Sequence, residues 1–230
     1  MRLADLDLEI IYVNLSTRSD RRILTEEQLR LVGLSAKRQQ GIQSRFVRDS
    51  RGFYNDRRYA CSLAKRIAIR RAKLSRSRAL LLLEDDVVFH PDLHERLSAI
   101  ELPTDWQLFF LGCCHIEPPT IFSEGLVRGT RMIGNHAVII RDSSYGAVIA
   151  ALSGSGRGSV RQYGGSDLRL AELHAKLPMY CCYPNLAWQR DGFSDISRVS
   201  VRRYDVQGNQ VVGLHAIDGL RGSTKRQSKE

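Results

Sequence analysis

No apolar stretch of about 18 residues occurs in the 230-residue chain, which excludes a hydrophobic membrane-spanning helix of ordinary length. A secretory leader would open on a basic segment and a long apolar core, whereas the first eight residues carry Asp5 and Asp7. A soluble, cytoplasmic protein is expected, at most peripheral to the inner membrane. Cys-x-x-Cys spacing is also missing. The five cysteines fall as the vicinal pairs Cys113-Cys114 and Cys181-Cys182 with Cys61 alone. Vicinal cysteines seldom chelate one tetrahedral ion, so reduced, mostly buried thiols are expected, with a zinc site from both pairs and His115 as the remaining alternative. There is no internal repeat and no phosphate loop. The run Ser153-Gly154-Ser155-Gly156 follows a predicted helix and lacks the Lys-Ser/Thr ending, so it reads as a flexible break.

What is present suits one α/β domain. A hydrophobic fraction of 43% over this length can bury one sizeable core, assigned here to residues 1–220. Residues 221–230 have the composition of a disordered basic tail. The net charge of +10 is concentrated: twelve Lys or Arg between Arg45 and Arg78 face only Asp49 and Asp56, which leaves the rest of the chain neutral. Such a segment predicts a basic face turned toward an anionic partner, whether nucleotide, acidic membrane surface or nucleic acid.

The centre of the pattern is the run at 80–89, four leucines followed by Glu84-Asp85-Asp86 and then Val87-Val88-Phe89. A continuous apolar run reads as a strand buried on both faces. Three carboxylates cannot be buried together without a partner, so they must emerge where water, a cation or a ligand meets them. Carboxylate oxygens without nearby nitrogen or sulfur suit a hard ion, Mg2+ or Mn2+, and through it a diphosphate.

The periodicity predicts a first strand at 9–15 and a helix through Leu31, capped by Ser19 or Asp20 and ended by Gly33. A second strand is expected at 42–47, then a polar loop over 48–58. The next helix, over 59–74, has Ala60, Ala64, Ile67 and Ala68 on one stripe and presents Arg66, Arg70 and Lys73 on another. A strand-helix-strand unit of this kind pairs its strands in parallel. Beyond the acids, the pattern predicts a helix to about residue 100, a core strand at 106–111, loop over 113–135 and a strand at 136–140. A helix over 143–152, one from Gly164-Gly165-Ser166-Asp167 to 175, a last strand at 179–183 and an irregular remainder complete the chain. Asp167 is either an N-cap or first-turn acid or a catalytic base.

Several stretches, in order, resemble glycosyltransferase family 25, the lipopolysaccharide-biosynthesis and collagen-galactosyltransferase family. They are Ile11-Tyr12-Val13-Asn14-Leu15 with Arg18 and Arg22; Cys61-Ser62-Leu63; Leu82-Leu83-Glu84-Asp85-Asp86; Asp105-Trp106 through Leu111-Gly112; His136-Ala137; and Gln189 with Ser194-Asp195-Ile196. The resemblance spans roughly residues 9–197. It implies a GT-A fold, a mostly parallel central sheet flanked by helices, and hexose transfer with inversion from UDP-glucose or UDP-galactose in the presence of Mn2+ or Mg2+. Asp86 and then Asp85 would hold the metal, with His215 a candidate third ligand; Glu84 would contact the donor or orient its neighbours. Val13, Asn14, Leu15 and Arg18 would meet the nucleotide. The base that deprotonates the acceptor would be Asp167, with Asp195 its competitor.

The chain departs from the family at Ala64-Lys65, where relatives show Ser-His, and in the arginine density of 45–78. The acceptor therefore stays open between a lipopolysaccharide or other glycan at the membrane surface and hydroxymethylated DNA. A metal-dependent nuclease and a non-catalytic nucleic-acid-binding domain are the alternatives from other classes.

Overall fold

The computed structural model describes residues 6–48, 53, 55–153, 165–198 and 200–201. In chain order the elements are β1 (Leu8–Asn14), α1 (Ser19–Leu31), β2 (Lys37–Gln40), α2 (Asp56–Leu74), β3 (Ala79–Glu84), β4 (Val87–Phe89), α3 (Leu93–Ser98), β5 (Leu108–Phe110), β6 (Cys114–His115), β7 (Thr120–Ser123), β8 (Leu126–Gly129), β9 (Met132–Ile133) and β10 (Ala137–Arg141). They continue through α4 (Tyr145–Ala151), α5 (Ser166–Ala171), β11 (Met179–Cys182), β12 (Ala187–Gln189), β13 (Gly192–Phe193) and β14 (Ser200–Val201).

Eight strands form the main sheet in the order β2-β1-β3-β10-β5-β11-β8-β7. Six of them point the same way, and only β10 and β8 run against the rest. The expected α/β class with a mostly parallel sheet flanked by helices is what forms. Leucines 80 to 83 explain why β3 sits inside. Leu81 and Leu83 pack on one face with Tyr12, Leu29, Leu93 and Trp106, beneath α1 and α3. Leu80 and Leu82 pack on the other with Ala68, Ile69, Tyr145 and Leu170, beneath α2, α4 and α5. A strand covered on both faces has no use for alternation, hence the unbroken apolar run.

Helix ends follow local chemistry. Asn55 caps α2 by accepting from the Arg58 N–H at 3.0 Å. Gly33, at φ +63°, lets the chain turn off α1 through the left-handed region.

Five expectations need correction. The strand placed at 42–47 is instead β2 at Lys37–Gln40, and Ser44–Phe46 is a short 3-10 turn with Phe46 exposed. Lys-Arg-Gln-Gln has no apolar signal because it is a sheet edge, where charged side chains discourage further pairing. The run 80–89 is two strands, since the chain turns at Asp85-Asp86 and β4 leaves to pair with β12. Residues 113–135 are not loop: β7 and β8 extend the main sheet, and β6 pairs with β9. In α2, Arg66 is buried rather than presented, and its neighbour Lys65 is fully buried. Short strands β12, β13 and β14 also occupy the stretch after Pro184 that reads as irregular. His215, the tail at 221–230 and the Gly/Ser run from Gly154 onward lie outside the described residues.

Candidate functional site

Parallel pairing sets Val13 of β1 beside Glu84 of β3, so both strands deliver their carboxyl ends to one place, where open α/β sheets bind ligands. A cavity of about 550 Å³ opens there. Val13, Leu15, Glu84, Asp85, Asp86, Asp167 and Asp195 all line it. Seven expected site residues distant in sequence thus share one space. Arg45, Arg57 and Arg58, from the basic segment, line it as well.

The three acids share a small set of partners. Lys65 Nζ bonds Glu84 Oε1, and Gln189 Nε2 donates to Glu84 Oε2 at 3.0 Å. Asp85 accepts from Arg21 Nη1 at 2.9 Å and from Asn14 Nδ2 at 2.8 Å. Asp86 lies 3.5 Å from Arg21 Nη1 and 3.4 Å from Gln189 Nε2. Burial pushes the Asp85 carboxyl up, against the opposing pull of Arg21 and Asn14. For Lys65, burial disfavours the charge, but Glu84 outweighs it and the ammonium is held more firmly than usual. Cys61, on the cavity wall, is pushed up to about 12 by burial, which rules it out as a thiolate nucleophile at neutral pH.

Asn14 and Arg18 do not line the cavity. Asn14 is 1% exposed and holds Asp85 while accepting from Arg38 at 3.1 Å. Arg18 pairs with Asp20 at 2.7 Å and with Asp195. The far wall is tied down by cations: Arg21 Nη2 donates to the Phe193 carbonyl at 2.9 Å, and Arg57 Nε to that of Ile196 at 3.0 Å. Asp167 lies in the first turn of α5, next to Ser166, whose hydroxyl accepts from Lys65 at 3.1 Å.

Lys65, Arg21 and Gln189 organise the acids and were not singled out as site residues from the sequence. Lys65 is one cation among twelve and carries no local mark of its inward position. Arg21 lies in the predicted polar turn and Gln189 in a stretch of the family resemblance, so both had a weak signal.

The residues fit a hard divalent cation. Asp85 and Asp86 converge on one positive group, the Arg21 guanidinium, which stands where such an ion would neutralise both. Glu84 is already committed to Lys65.

No family model matches the sequence, and no curated protein matches it. Among solved structures, a mutant of the Drosophila β-1,4-galactosyltransferase 7, in complex with manganese, UDP-Gal and xylobiose, is similar over 97% of this chain and 82% of its own, at 11% identity and TM-score 0.45. The A197 protein of STIV is similar over 86% of this chain and 95% of its own, at 12% identity and TM-score 0.44. A glycosyltransferase involved in glycosylation of the major capsid of PBCV-1 is similar over 77% of this chain and 93% of its own, at 11% identity and TM-score 0.39. At these identities and scores the likenesses fix neither family nor activity. Among the described residues, no helix is long and apolar enough to cross a membrane.

Proposed function

We propose that the protein is a metal-dependent, inverting glycosyltransferase that moves a hexose from UDP-glucose or UDP-galactose to a hydroxyl of an anionic glycan. The observation that carries this is that one cavity at the ends of β1 and β3 is lined by Glu84, Asp85 and Asp86 together with Arg45, Arg57 and Arg58.

Asp85 and Asp86 would hold Mn2+ or Mg2+, which when bound neutralises charge on a diphosphate. Arg57 and Arg58 offer the departing diphosphate a second set of cations. Arg21, which contacts both aspartates, would have to give way for them to hold the metal ion. Asp167 takes the proton of the acceptor hydroxyl as its oxygen attacks the anomeric carbon and the bond to the diphosphate breaks. Asp195, paired with Arg18, is the competing candidate for that step. Glu84, fixed by Lys65 and Gln189, presents a rigid edge to the donor sugar.

A glycan is favoured over DNA because the described cations of the basic segment are divided between the interior, the cavity and the exposed face of α2. Lys65 and Arg66 turn inward, Arg45, Arg57 and Arg58 gather at the cavity, and Arg76 and Arg78 lie beyond the other end of α2. A DNA-binding groove would need its cations in register with successive phosphates.

The test is UDP release from UDP-glucose and UDP-galactose with Mn2+, with acidic oligosaccharide or hydroxymethylated DNA as acceptor. Asp86→Asn should lower turnover about 10²-fold or more while the protein stays folded. If neither donor turns over or raises Tm, the assignment is wrong; turnover with DNA alone would reassign the acceptor.

A further inference from the structure

On the α2/α4/α5 side of the sheet, the vicinal cysteine pairs each contribute one thiol to a common point. Cys113 and Cys181 share the apolar layer with Leu108 and Leu170, whereas Cys182 belongs to the opposite layer, as strand alternation requires. Cys113 Sγ lies 3.3 Å from Cys181 Sγ and 3.5 Å from His115 Nε2. One donor atom from each of the three residues lies within 4.8 Å of the others. Asn185 fixes the approach: its Oδ1 accepts from the Cys113 N–H at 3.2 Å and its Nδ2 donates to the Cys113 carbonyl at 3.1 Å. That same Oδ1 is 3.8 Å from Cys181 Sγ.

We infer that Cys113, Cys181 and His115 form a binding site for a thiolate-preferring divalent cation, Zn2+, with the Asn185 amide oxygen or a water as fourth ligand. Zinc–sulfur bonds of about 2.3 Å and zinc–nitrogen bonds of about 2.0–2.1 Å put tetrahedral ligands about 3.5 Å apart for S···N and about 3.8 Å for S···S. The first separation is met as it stands, and the second needs the sulfurs to part by about half an ångström. The sulfurs are well beyond the roughly 2.05 Å of a disulfide. Two sulfurs and an imidazole select zinc over the hard ions that suit the acidic turn. His115 Nδ1 is buried without a partner among the described residues, so the ring meets only the thiols through its other nitrogen. Binding releases the thiol protons and ties β6 to β11.

The test uses the reduced full chain and counts zinc per chain after dialysis, followed by Co2+ substitution. One ion per chain, a Tm raised by zinc and a thiolate-to-cobalt charge-transfer band are expected. Zinc should also slow the modification of two of the five cysteines in wild type, a measurement that needs no variant. Cys181→Ser should abolish the band, and His115→Ala should weaken binding about tenfold or more. Asp86→Asn should leave zinc binding unchanged, which separates this site from the proposed donor site. Cobalt bound without the band, no zinc retained by reduced protein, or undiminished binding by Cys181→Ser would each overturn the inference. So would recovery of Cys113 and Cys181 cross-linked with no metal uptake after reduction.

Discussion

A lysine with 0% exposure inside a run of arginines is the least expected residue of this chain. Its ammonium reaches from α2 to Glu84 on β3 and to Ser166 at the start of α5, so one side chain sets the spacing of three elements around the cavity. Removing one member of such a pair strands the other's charge, which costs more than the pair contributes. Lys65→Met, which keeps the volume, should lower unfolding free energy by about 2–3 kcal/mol, below the range for fully buried pairs because Glu84 retains some solvent. Urea denaturation would measure this, and Glu84→Gln in the same chain should restore part of it. An unchanged urea midpoint in Lys65→Met would show that the contact does not stabilise the fold. The sequence leaves Lys65 off the stripe of Arg70 and Lys73 but does not show its burial, because burial of a cation depends on a carboxylate that is distant in sequence.

At the scale of elements, legibility followed apolar content. β1, β10 and β11 are rich in Ile, Leu, Val and aromatic residues and lie within a residue of their expected positions, and β3 starts within one. β2 and β7 are sheet edges, with side chains largely facing solvent, so their composition resembled loop. The break between β3 and β4 was hidden because both halves are apolar. β12, which pairs with β4 and carries Gln189, presses on the end of β5. A Cβ on Gly112 would lie 1.9 Å from the Ala187 carbonyl oxygen, and Ala187 also donates to the Leu111 carbonyl at 3.1 Å. Gly112→Ala must therefore displace β12, and Gln189 with it, from Glu84 and Asp86. The expected cost is about 1–3 kcal/mol, with a loss of donor binding that Asn185→Ala should not reproduce in full. Thermal unfolding together with UDP titration would check it; a variant with normal Tm and affinity would refute the close approach.

For the molecule as a whole, the sheet class and the gathering of Glu84, Asp85, Asp86 and Asp167 could be anticipated, because β3 pointed to one end of a parallel sheet. The side chains that bind those acids, Arg21, Lys65 and Gln189, could not, since they come from α1, α2 and β12 at once. At the other end of β1 a polar cleft of about 380 Å³ holds Glu9, which joins Lys37 of β2 at 2.9 Å to Ser75 and Ser77 beyond α2. Burial pushes Glu9 up, but these bonds outweigh it and hold its pKa at about 2 against an ordinary 4.5. The folded form thus binds the proton less readily than the unfolded chain. Its contribution is complete above about pH 4.5 and is lost as pH falls toward 2. Glu9→Gln should remove that part of the acid dependence, seen as a shrinking gap from wild type in urea midpoints across the same window. A constant gap would mean that Glu9 is not the group responsible. Chain order adds a consequence for biosynthesis. All eight strands of the main sheet are present once Cys182 has been made, whereas Gln189 and the wall at Ser194 and Asp195 follow. Since folding during synthesis proceeds from the N-terminus, the growing chain can assemble its sheet with the acidic turn still uncovered. Affinity for the proposed donor is therefore expected only once the last stretch that lines the cavity has emerged from the ribosome.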